Sequence, residues 1–358
     1  MKKGGLLLLL ILILVYGYQA YQVVDSYKND VLKIKRAGKL TAITEQVIPV
    51  PLEIPDSGAV KQVTRVRRDG DSLFMISDNR LLQFNMKGQF INQIAGDIDE
   101  ENGRFIVEYV LNTHDHQVLV VDSERNINTF DYDGRLISSI RIDKPWLKIS
   151  ALTFHNGFLW ATAETLTANK ENPELFHIEH NLYQLDLNLN ELFSHPLRIA
   201  GYNKNKIFNG LCVDELLVDE QGVYAYFPLS DPDKMLNDTL HIAQQKKMPF
   251  LYPNVPYGMA CIYPVRTGKR YYLSTNYDPV ADKSYTFCYD DSKQTAYMLT
   301  NGFTDDFYKT GQIADLQPMD IYNDYYCYLK SGQALAKTFP ERAKNSDLPV
   351  LFILKLNV

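Results

Sequence analysis

The sequence predicts an all-β fold in which six four-stranded antiparallel units close into a ring, and two observations lead to it. The first is composition: 46% of the 358 residues are hydrophobic and 12% are aromatic, and aromatic side chains pack well on pleated strands. The second is an internal repeat, because the segment 81–94 recurs 46 positions later as the segment 127–140. At this length, a repeat architecture accounts for the chain better than one ordinary compact domain.

Each copy of the repeated segment has the pattern of a β-hairpin. Phe84 matches Phe130 in the first strand of the hairpin. Gly88 matches Gly134 in the turn, and a glycine is typical of a tight turn because it adopts a positive φ at little cost. A second hairpin pattern lies upstream of each copy, so that each period contains four strands.

Four more divergent units follow the first two. They occupy the segments 151–199, 212–252, 259–300 and 319–356. The last unit is one strand short, and the strand-like segment 41–52 lies ahead of the first unit. We therefore expect this segment to complete the sixth sheet and to close the ring, which removes exposed strand edges.

The N-terminal segment has the pattern of a secretory signal. Two lysines precede the apolar run Leu6–Val15, which contains only Leu, Ile and Val. Residues 1–24 are long enough to cross a bilayer, so we expect an uncleaved signal anchor, with a cleaved signal peptide as the alternative. Residues 25–39 are expected to form a polar stalk and residues 40–358 the repeat domain. The domain should then lie outside the cytoplasm, anchored in the cytoplasmic membrane or, after cleavage, released into the periplasm.

Charge and cysteine spacing exclude several classes of protein. The formal net charge is −6 and the basic residues are scattered, so nucleic-acid binding is not expected. The four cysteines fit neither the paired spacing of zinc sites nor a disulfide framework, and we expect buried free thiols. No nucleophile elbow, phosphate loop or dinucleotide fingerprint is present, so neither a catalytic residue nor a cofactor is predicted.

Five segments carry a resemblance to a known family. They are the hairpins 84–94 and 130–140, the strand end 121–123, the segment 301–306 and the C-terminal segment 345–357. Through them the chain resembles six-bladed β-propeller families of secreted and lipid-anchored bacterial proteins, domains of unknown function similar to NHL-type propellers. The resemblance covers about residues 40–358 and implies a six-bladed β-propeller of four-stranded antiparallel blades behind an N-terminal hydrophobic helix. The lipid-attachment cysteine of such proteins is missing here.

The propeller resemblance also implies where a ligand would bind. The loops between second and third strands, and those between blades, converge on one face, which we call the loop-rich face. Its longest loops are expected at 163–181, 228–238 and 331–347. The candidate ligand-binding residues are the aromatic and polar side chains in or beside its linkers, namely Trp146, Tyr202, Tyr257, Arg104, Tyr277 and Tyr308. For each of them, packing between blades is the alternative.

Two functions are compatible with these observations. The first is a non-enzymatic extracytoplasmic module, monomeric and membrane-tethered, that binds a protein, peptide or glycan on the loop-rich face. The alternative is a metal-dependent hydrolase or lyase, because lactonase-like six-bladed enzymes hold a divalent metal with oxygen ligands at the channel mouth. Its conceivable ligands here are Glu108, Asn209 and Asp214, but nothing in the local sequence connects them. The His114–His116 triplet is expected to form a solvated turn without a metal.

Overall fold

The structure is a computed structural model that describes most of the chain from residue 33 onward. The described residues are 33–53, 58–61, 63–96, 105–144, 146, 148–168, 175–203, 216–219, 222–226, 239–241, 265–267, 270–278, 283–290, 292–293, 295–320 and 323–357. Within them, successive antiparallel sheets follow one another along the chain as the blades of a propeller. The prediction of an all-β fold with four-stranded antiparallel sheets is confirmed, whereas the predicted hydrophobic helix lies outside the described residues.

The strands are numbered in chain order, and two of them, β1 (Lys33–Lys35) and β2 (Thr44–Pro51), precede blade one. Blade one contains β3 (Thr64–Asp69), β4 (Ser72–Ser77), β5 (Arg80–Asn85) and β6 (Phe90–Ala95). Blade two contains β7 (Ile106–Asn112), β8 (Gln117–Asp122), β9 (Asn126–Asp131) and β10 (Leu136–Arg141). Blade three contains β11 (Lys148–His155), β12 (Phe158–Ala168), β13 (Leu175–Leu185) and β14 (Glu191–Asn203).

The later blades follow the same order. The described strands of blade four are β15 (Leu216–Asp219), β16 (Gly222–Tyr226) and β17 (Thr239–His241). Blade five contains β18 (Val265–Thr267), β19 (Tyr271–Asp278), β20 (Lys283–Asp290) and β21 (Thr295–Thr300), and a ribbon of β22 (Phe303–Asp305) and β23 (Gly311–Ile313) follows it. Blade six contains β24 (Gln317–Asp320), β25 (Tyr325–Lys330) and β26 (Val350–Leu356). Short helices span Leu40–Ala42, Gly332–Leu335 and Pro340–Ala343.

Blade six is completed by β2, which comes from the other end of the described chain. Its strand order is β2-β26-β25-β24, and β2 pairs antiparallel with β26, with Val50 opposite Leu351. Val50 is completely buried on this strand. This is the pairing that the sequence predicted for the segment 41–52, and it covers the edge that β26 would otherwise expose.

The chain ahead of β2 also joins a sheet. Lys33–Lys35 pairs in parallel with Thr295–Tyr297, so that β1 becomes a fifth strand on the outer edge of blade five. The sequence assigned residues 25–39 to a stalk, but this part of it lies on the propeller. A run of three alternating residues is too short to be recognised as a strand without its partner.

The core lies between neighbouring blades, where the sheets pack face to face. Between blades one and two, the buried Tyr109 donates a hydrogen bond from its hydroxyl to the Phe74 carbonyl oxygen at 2.8 Å. The Tyr109 hydrogen bond fastens blade two to blade one, because a buried hydroxyl is costly unless it is bonded. In blade six, Phe352 stacks on its cross-strand neighbour Tyr328 with ring centroids 4.8 Å apart, in a cluster that also contains Leu299 of blade five.

The turn of the β5–β6 hairpin shows why its glycine is needed. Gly88 has a φ of +83°, a conformation that favours glycine. A Cβ atom at this position would lie 2.1 Å from the carbonyl oxygen of Pro51. The Glu53 amide also donates to the Gly88 oxygen at 2.8 Å. The repeated glycine therefore lets blade one lie directly against the end of the closing strand β2.

Two of the four cysteines lie among the described residues. Cys288 and Cys327 are buried free thiols, as predicted, and burial raises the pKa of both. Cys212 and Cys261 lie outside the described residues.

Among the described residues, no helix is long and apolar enough to cross a membrane. The predicted signal anchor at residues 1–24 is not among them.

Candidate functional site

A pocket of about 920 Å³ lies where the inner strands of five blades meet around the central channel. We call it the channel pocket. Its lining comes from β3, β7, β11, β15 and β24, the first strands of blades one, two, three, four and six. Its rim is formed by the turns between first and second strands, with Gly70, Thr113, Asn156 and Asn323. In an antiparallel sheet these turns lie at the end opposite the second-to-third-strand loops, so the pocket opens away from the loop-rich face.

A buried glutamate in blade two holds two arginines of blade one beside the channel. The Glu108 carboxylate lies 3.3 Å from Arg65 Nε and 3.3 Å from Arg67 Nη2, and its side chain is only 6% exposed. It also accepts a hydrogen bond from the Tyr109 amide at 2.9 Å. The ion pairs offset the cost of burying this carboxylate. They also disfavour Glu108 as a ligand for a metal cation, which is the role that the hydrolase alternative gave it.

Metal binding has no further support among the described residues. In that part of the chain, no group of three or more His, Cys, Asp or Glu side chains lies close enough to hold a metal ion. Asn209 and Asp214, the other conceivable ligands, fall outside it.

At the rim, blades one and six meet through an arginine and a tyrosine. The guanidinium carbon of Arg68 lies 5.2 Å from the ring centroid of Tyr325, and Lys355 Nζ lies 5.5 Å from the same centroid. Arg68 Nε donates to the Gly70 carbonyl oxygen at 2.8 Å. The stacking and the hydrogen bond together fix the orientation of the Arg68 guanidinium at the pocket.

On the blade-two side of the rim, Asp69 is held by an aromatic pair. Tyr132 donates its hydroxyl to Asp69 Oδ2 at 2.7 Å, and His116 Nδ1 lies 3.4 Å from the same oxygen. Burial, followed by the hydrogen bond to Asp69, raises the pKa of Tyr132. The His116 side chain is 71% exposed and that of His114 is 92% exposed, in agreement with a solvated turn for this triplet.

The family of the chain follows from comparison with known sequences. A profile of the DUF5128 family, described as "6-bladed beta-propeller", matches residues 19–209. The chain belongs to this family. The match confirms the resemblance to six-bladed propellers on which the sequence analysis relied. No curated protein matches this DUF5128 chain significantly.

Solved structures similar to this DUF5128 propeller are distant in sequence. The β-propeller domain of Cps50 (Swd1) from Myceliophthora thermophila has 11% identity and a TM-score of 0.44, with 87% of this chain and 100% of that chain covered. The WD40 β-propeller domain of Doa1 has 12% identity and a TM-score of 0.40, with 87% and 96% covered. The WD40 domain of Pan2 from Neurospora crassa has 10% identity and a TM-score of 0.38, with 84% and 90% covered.

Trp146 of the DUF5128 chain lies in the core between blades two and three. It is 5% exposed, and its ring centroid lies 4.6 Å from that of Tyr183. Its cluster includes Val121 of blade two and Leu152 of blade three. Packing between blades is the alternative that the sequence left open for Trp146. A side chain that is 5% exposed has little surface left for a ligand.

The structure places three of the other candidate residues in different parts of the fold. Tyr308 packs in a separate cluster between blades five and six, and its hydroxyl donates to the Val47 carbonyl oxygen at 3.1 Å. Tyr202 lies within β14 and Tyr277 within β19, each opposite a residue of the neighbouring strand. Arg104 and Tyr257 lie outside the described residues, and their ligand role stays a prediction.

The structure describes two of the three long loops expected on the loop-rich face, at least in part. The segment 163–181 was expected to be a loop, but β12 continues to Ala168 and β13 begins at Leu175, so this expectation was wrong. Alternating threonines at 165 and 167 favour an extended strand. In the segment 331–347, a 3-10 helix and an α-helix occur and Leu335 is completely buried. The segment 228–238 lies outside the described residues.

Sequence reasoning missed the arginines of the channel pocket. Arg67 and Arg68 of the pocket, and Arg65 beside them, fall in the first inner strand, where apolar residues are expected for packing against neighbouring blades. Three arginines in such a strand were a signal for a polar site at the channel. Because the end of this strand has the local pattern of a hairpin turn, Arg68 was interpreted as a turn residue and not as part of a site.

Proposed function

We propose that this propeller is a non-enzymatic binding module and that it holds a peptide, protein or glycan in the channel pocket. The observation that carries the proposal is the pocket itself, a concavity of about 920 Å³ with lining residues from five blades. Its volume is in the range of specific ligand sites, about 300–1,000 Å³. We place the ligand here rather than on the loop-rich face because, of two described candidates of that face, Trp146 packs in the core and Tyr308 packs partly buried against it.

The lining of the channel pocket supports binding of a ligand with mixed chemistry. Apolar side chains, including Leu111, Phe154 and Met319, lie beside polar ones such as Thr153 and Asn156. Apolar walls contribute burial energy, while a few polar groups orient the ligand. The rim and walls belong to several rigid sheets, so the polar groups are positioned before a ligand arrives.

Binding in the channel pocket is tested by blocking its rim. Thr113 is exposed on the β7–β8 turn, and a tryptophan there would extend over the pocket. Peptide and glycan arrays are screened with the full-length protein in a mild detergent, and the affinity of each hit is measured by calorimetry. We expect Thr113→Trp to weaken binding by about tenfold or more, because it excludes the ligand from its anchors.

A matched control separates blocking from a general effect of a new tryptophan. Leu136 is 53% exposed on β10, the outer strand of blade two, so Leu136→Trp should leave the affinity unchanged. Equal affinities of the wild type and Thr113→Trp for every hit would contradict the proposed site. Metal-dependent turnover of a lactone by the wild-type protein would favour the hydrolase alternative.

We further propose that the module is tethered outside the cytoplasm by an uncleaved N-terminal segment. The support is the sequence: two lysines followed by the apolar run Leu6–Val15. The native protein is expected to stay with membranes during carbonate extraction, whereas a variant beginning at Asp25 should be released. A mature N-terminus near residue 18 or 21 in mass spectrometry would show cleavage instead and overturn the tether.

A further inference from the structure

We propose that the channel pocket takes an acidic peptide segment and that Arg68 receives its carboxylate. This inference rests on the proposed function and specifies the ligand of the same site. It depends on the contacts that orient the Arg68 guanidinium, on the hydrogen-bond partners of the neighbouring carboxylates, and on the apolar side chains of the pocket wall.

Arg68 is oriented by its neighbours but keeps hydrogen-bond donors for a ligand. Its Nε donates to the Gly70 oxygen, and its guanidinium stacks on Tyr325. Among the described residues, its Nη atoms have no carboxylate within salt-bridge distance and no hydrogen-bond acceptor. A planar guanidinium that is already fixed loses little entropy when it binds a carboxylate through two parallel hydrogen bonds.

The neighbouring carboxylates are engaged with other partners. Asp69 accepts the Tyr132 hydroxyl and faces His116. Asp320 accepts hydrogen bonds from the Asn323 amide at 3.1 Å and from its Nδ2 at 2.7 Å. On the blade-six side, Lys355 adds a second cation over the Tyr325 ring. Among the described residues at the seam between blades one and six, Arg68 therefore offers open Nη donors to an incoming anionic group, and Lys355 lies over the same Tyr325 ring.

The pocket wall favours a peptide over an acidic glycan. A sugar ring needs an open aromatic face, but the ring of Tyr325 lies against Arg68 and Lys355, and Phe154 is partly buried against the core between blades two and three. The wall beside it carries Leu111, Phe154 and Met319, which match apolar side chains next to an acidic residue. We therefore expect a short sequence in which acidic and apolar residues lie side by side.

The experiment uses four defined probes. The first is an acetylated hexapeptide of two glutamates flanked by leucines. The second and third carry glutamine or lysine in place of glutamate, and the fourth is an oligosaccharide of uronic acids. Each is titrated by calorimetry against the full-length wild type, Arg68→Gln, Arg68→Lys and the control Arg141→Gln. Arg141 ends the outer strand β10 and is exposed, so this control removes the same charge away from the pocket.

We expect the glutamate peptide to bind the wild type about tenfold or more tightly than the glutamine peptide, because a charge-assisted hydrogen bond is lost with glutamine. Arg68→Gln should remove this difference, Arg68→Lys should restore part of it, and Arg141→Gln should leave it intact. The comparison of the two peptides on the wild type needs no variant, so it gives a result even if Arg68→Gln fails to fold.

The outcomes separate this inference from the proposed function. If the lysine peptide, the glutamine peptide or the oligosaccharide binds best, and Thr113→Trp weakens that binding, the channel pocket is a binding site but the acidic-peptide inference is overturned. The inference is likewise overturned if the wild type and Arg68→Gln prefer glutamate equally. If no array component binds, or if Thr113→Trp leaves all binding unchanged, the proposed function falls together with the inference.

Discussion

Deletion of residues 40–52 is expected to abolish the soluble folded protein. The deletion removes β2 and leaves β26 as an unpaired edge, which favours aggregation. It also removes Leu40, Ile43, Val50 and Leu52, each of which is completely buried. Burial of one such side chain contributes about 1.5–3 kcal/mol, so the loss approaches the whole stability of a typical domain, about 5–15 kcal/mol.

The deletion is measured by size-exclusion chromatography and by circular dichroism during thermal unfolding. A variant that begins at residue 33 is the matched control, because it keeps both β1 and β2 and should unfold cooperatively. A monomeric deletion variant with a cooperative transition near that of the control would show that the ring holds without its closing strand.

Trp146→Ala is expected to lower the free energy of unfolding by about 3–5 kcal/mol, the usual cost of truncating a core tryptophan. The reason is its place between blades two and three, where the ring lies 4.6 Å from Tyr183. The free energy is measured by urea denaturation. Leu136→Ala on the exposed outer strand is the control and should change it by less than about 0.5 kcal/mol.

The same measurement decides between packing and ligand binding at Trp146. A loss of stability below about 1 kcal/mol, together with weaker binding of a hit from the arrays, would return Trp146 to the ligand-binding role that the sequence predicted. The stability result and the binding result must be obtained on the same preparation, since partial unfolding also weakens binding.

The blades were predictable because their signals are local. Gly88 and Gly134 both have a positive φ, at +83° and +79°, in the turns that the repeat identified. The pairing of β2 with β26 was predictable for a different reason. The sixth unit was one strand short, and the segment 41–52 was a strand without a partner, so each could complete the other. Neither inference requires knowledge of how side chains meet across the channel.

The channel pocket was not predictable because its parts are distant in sequence. Arg68 and Tyr325 come together only when blades one and six meet, and nothing near Arg68 in the chain indicates its partner. For Trp146, the sequence pattern did not distinguish burial from exposure. An aromatic residue beside a linker has the same local pattern whether it packs against Tyr183 or faces solvent, so burial had to come from the structure.

The pairing of β2 with β26 also constrains the timing of folding during synthesis. Val50 is made about 300 residues before its partner Leu351, an interval of about 15–60 s at about 5–20 residues per second. Throughout that interval the apolar face of β2 has no sheet to join, whereas blades one to five can form as they emerge. Closure is therefore a late step, and until it occurs the nascent chain carries an open sheet edge.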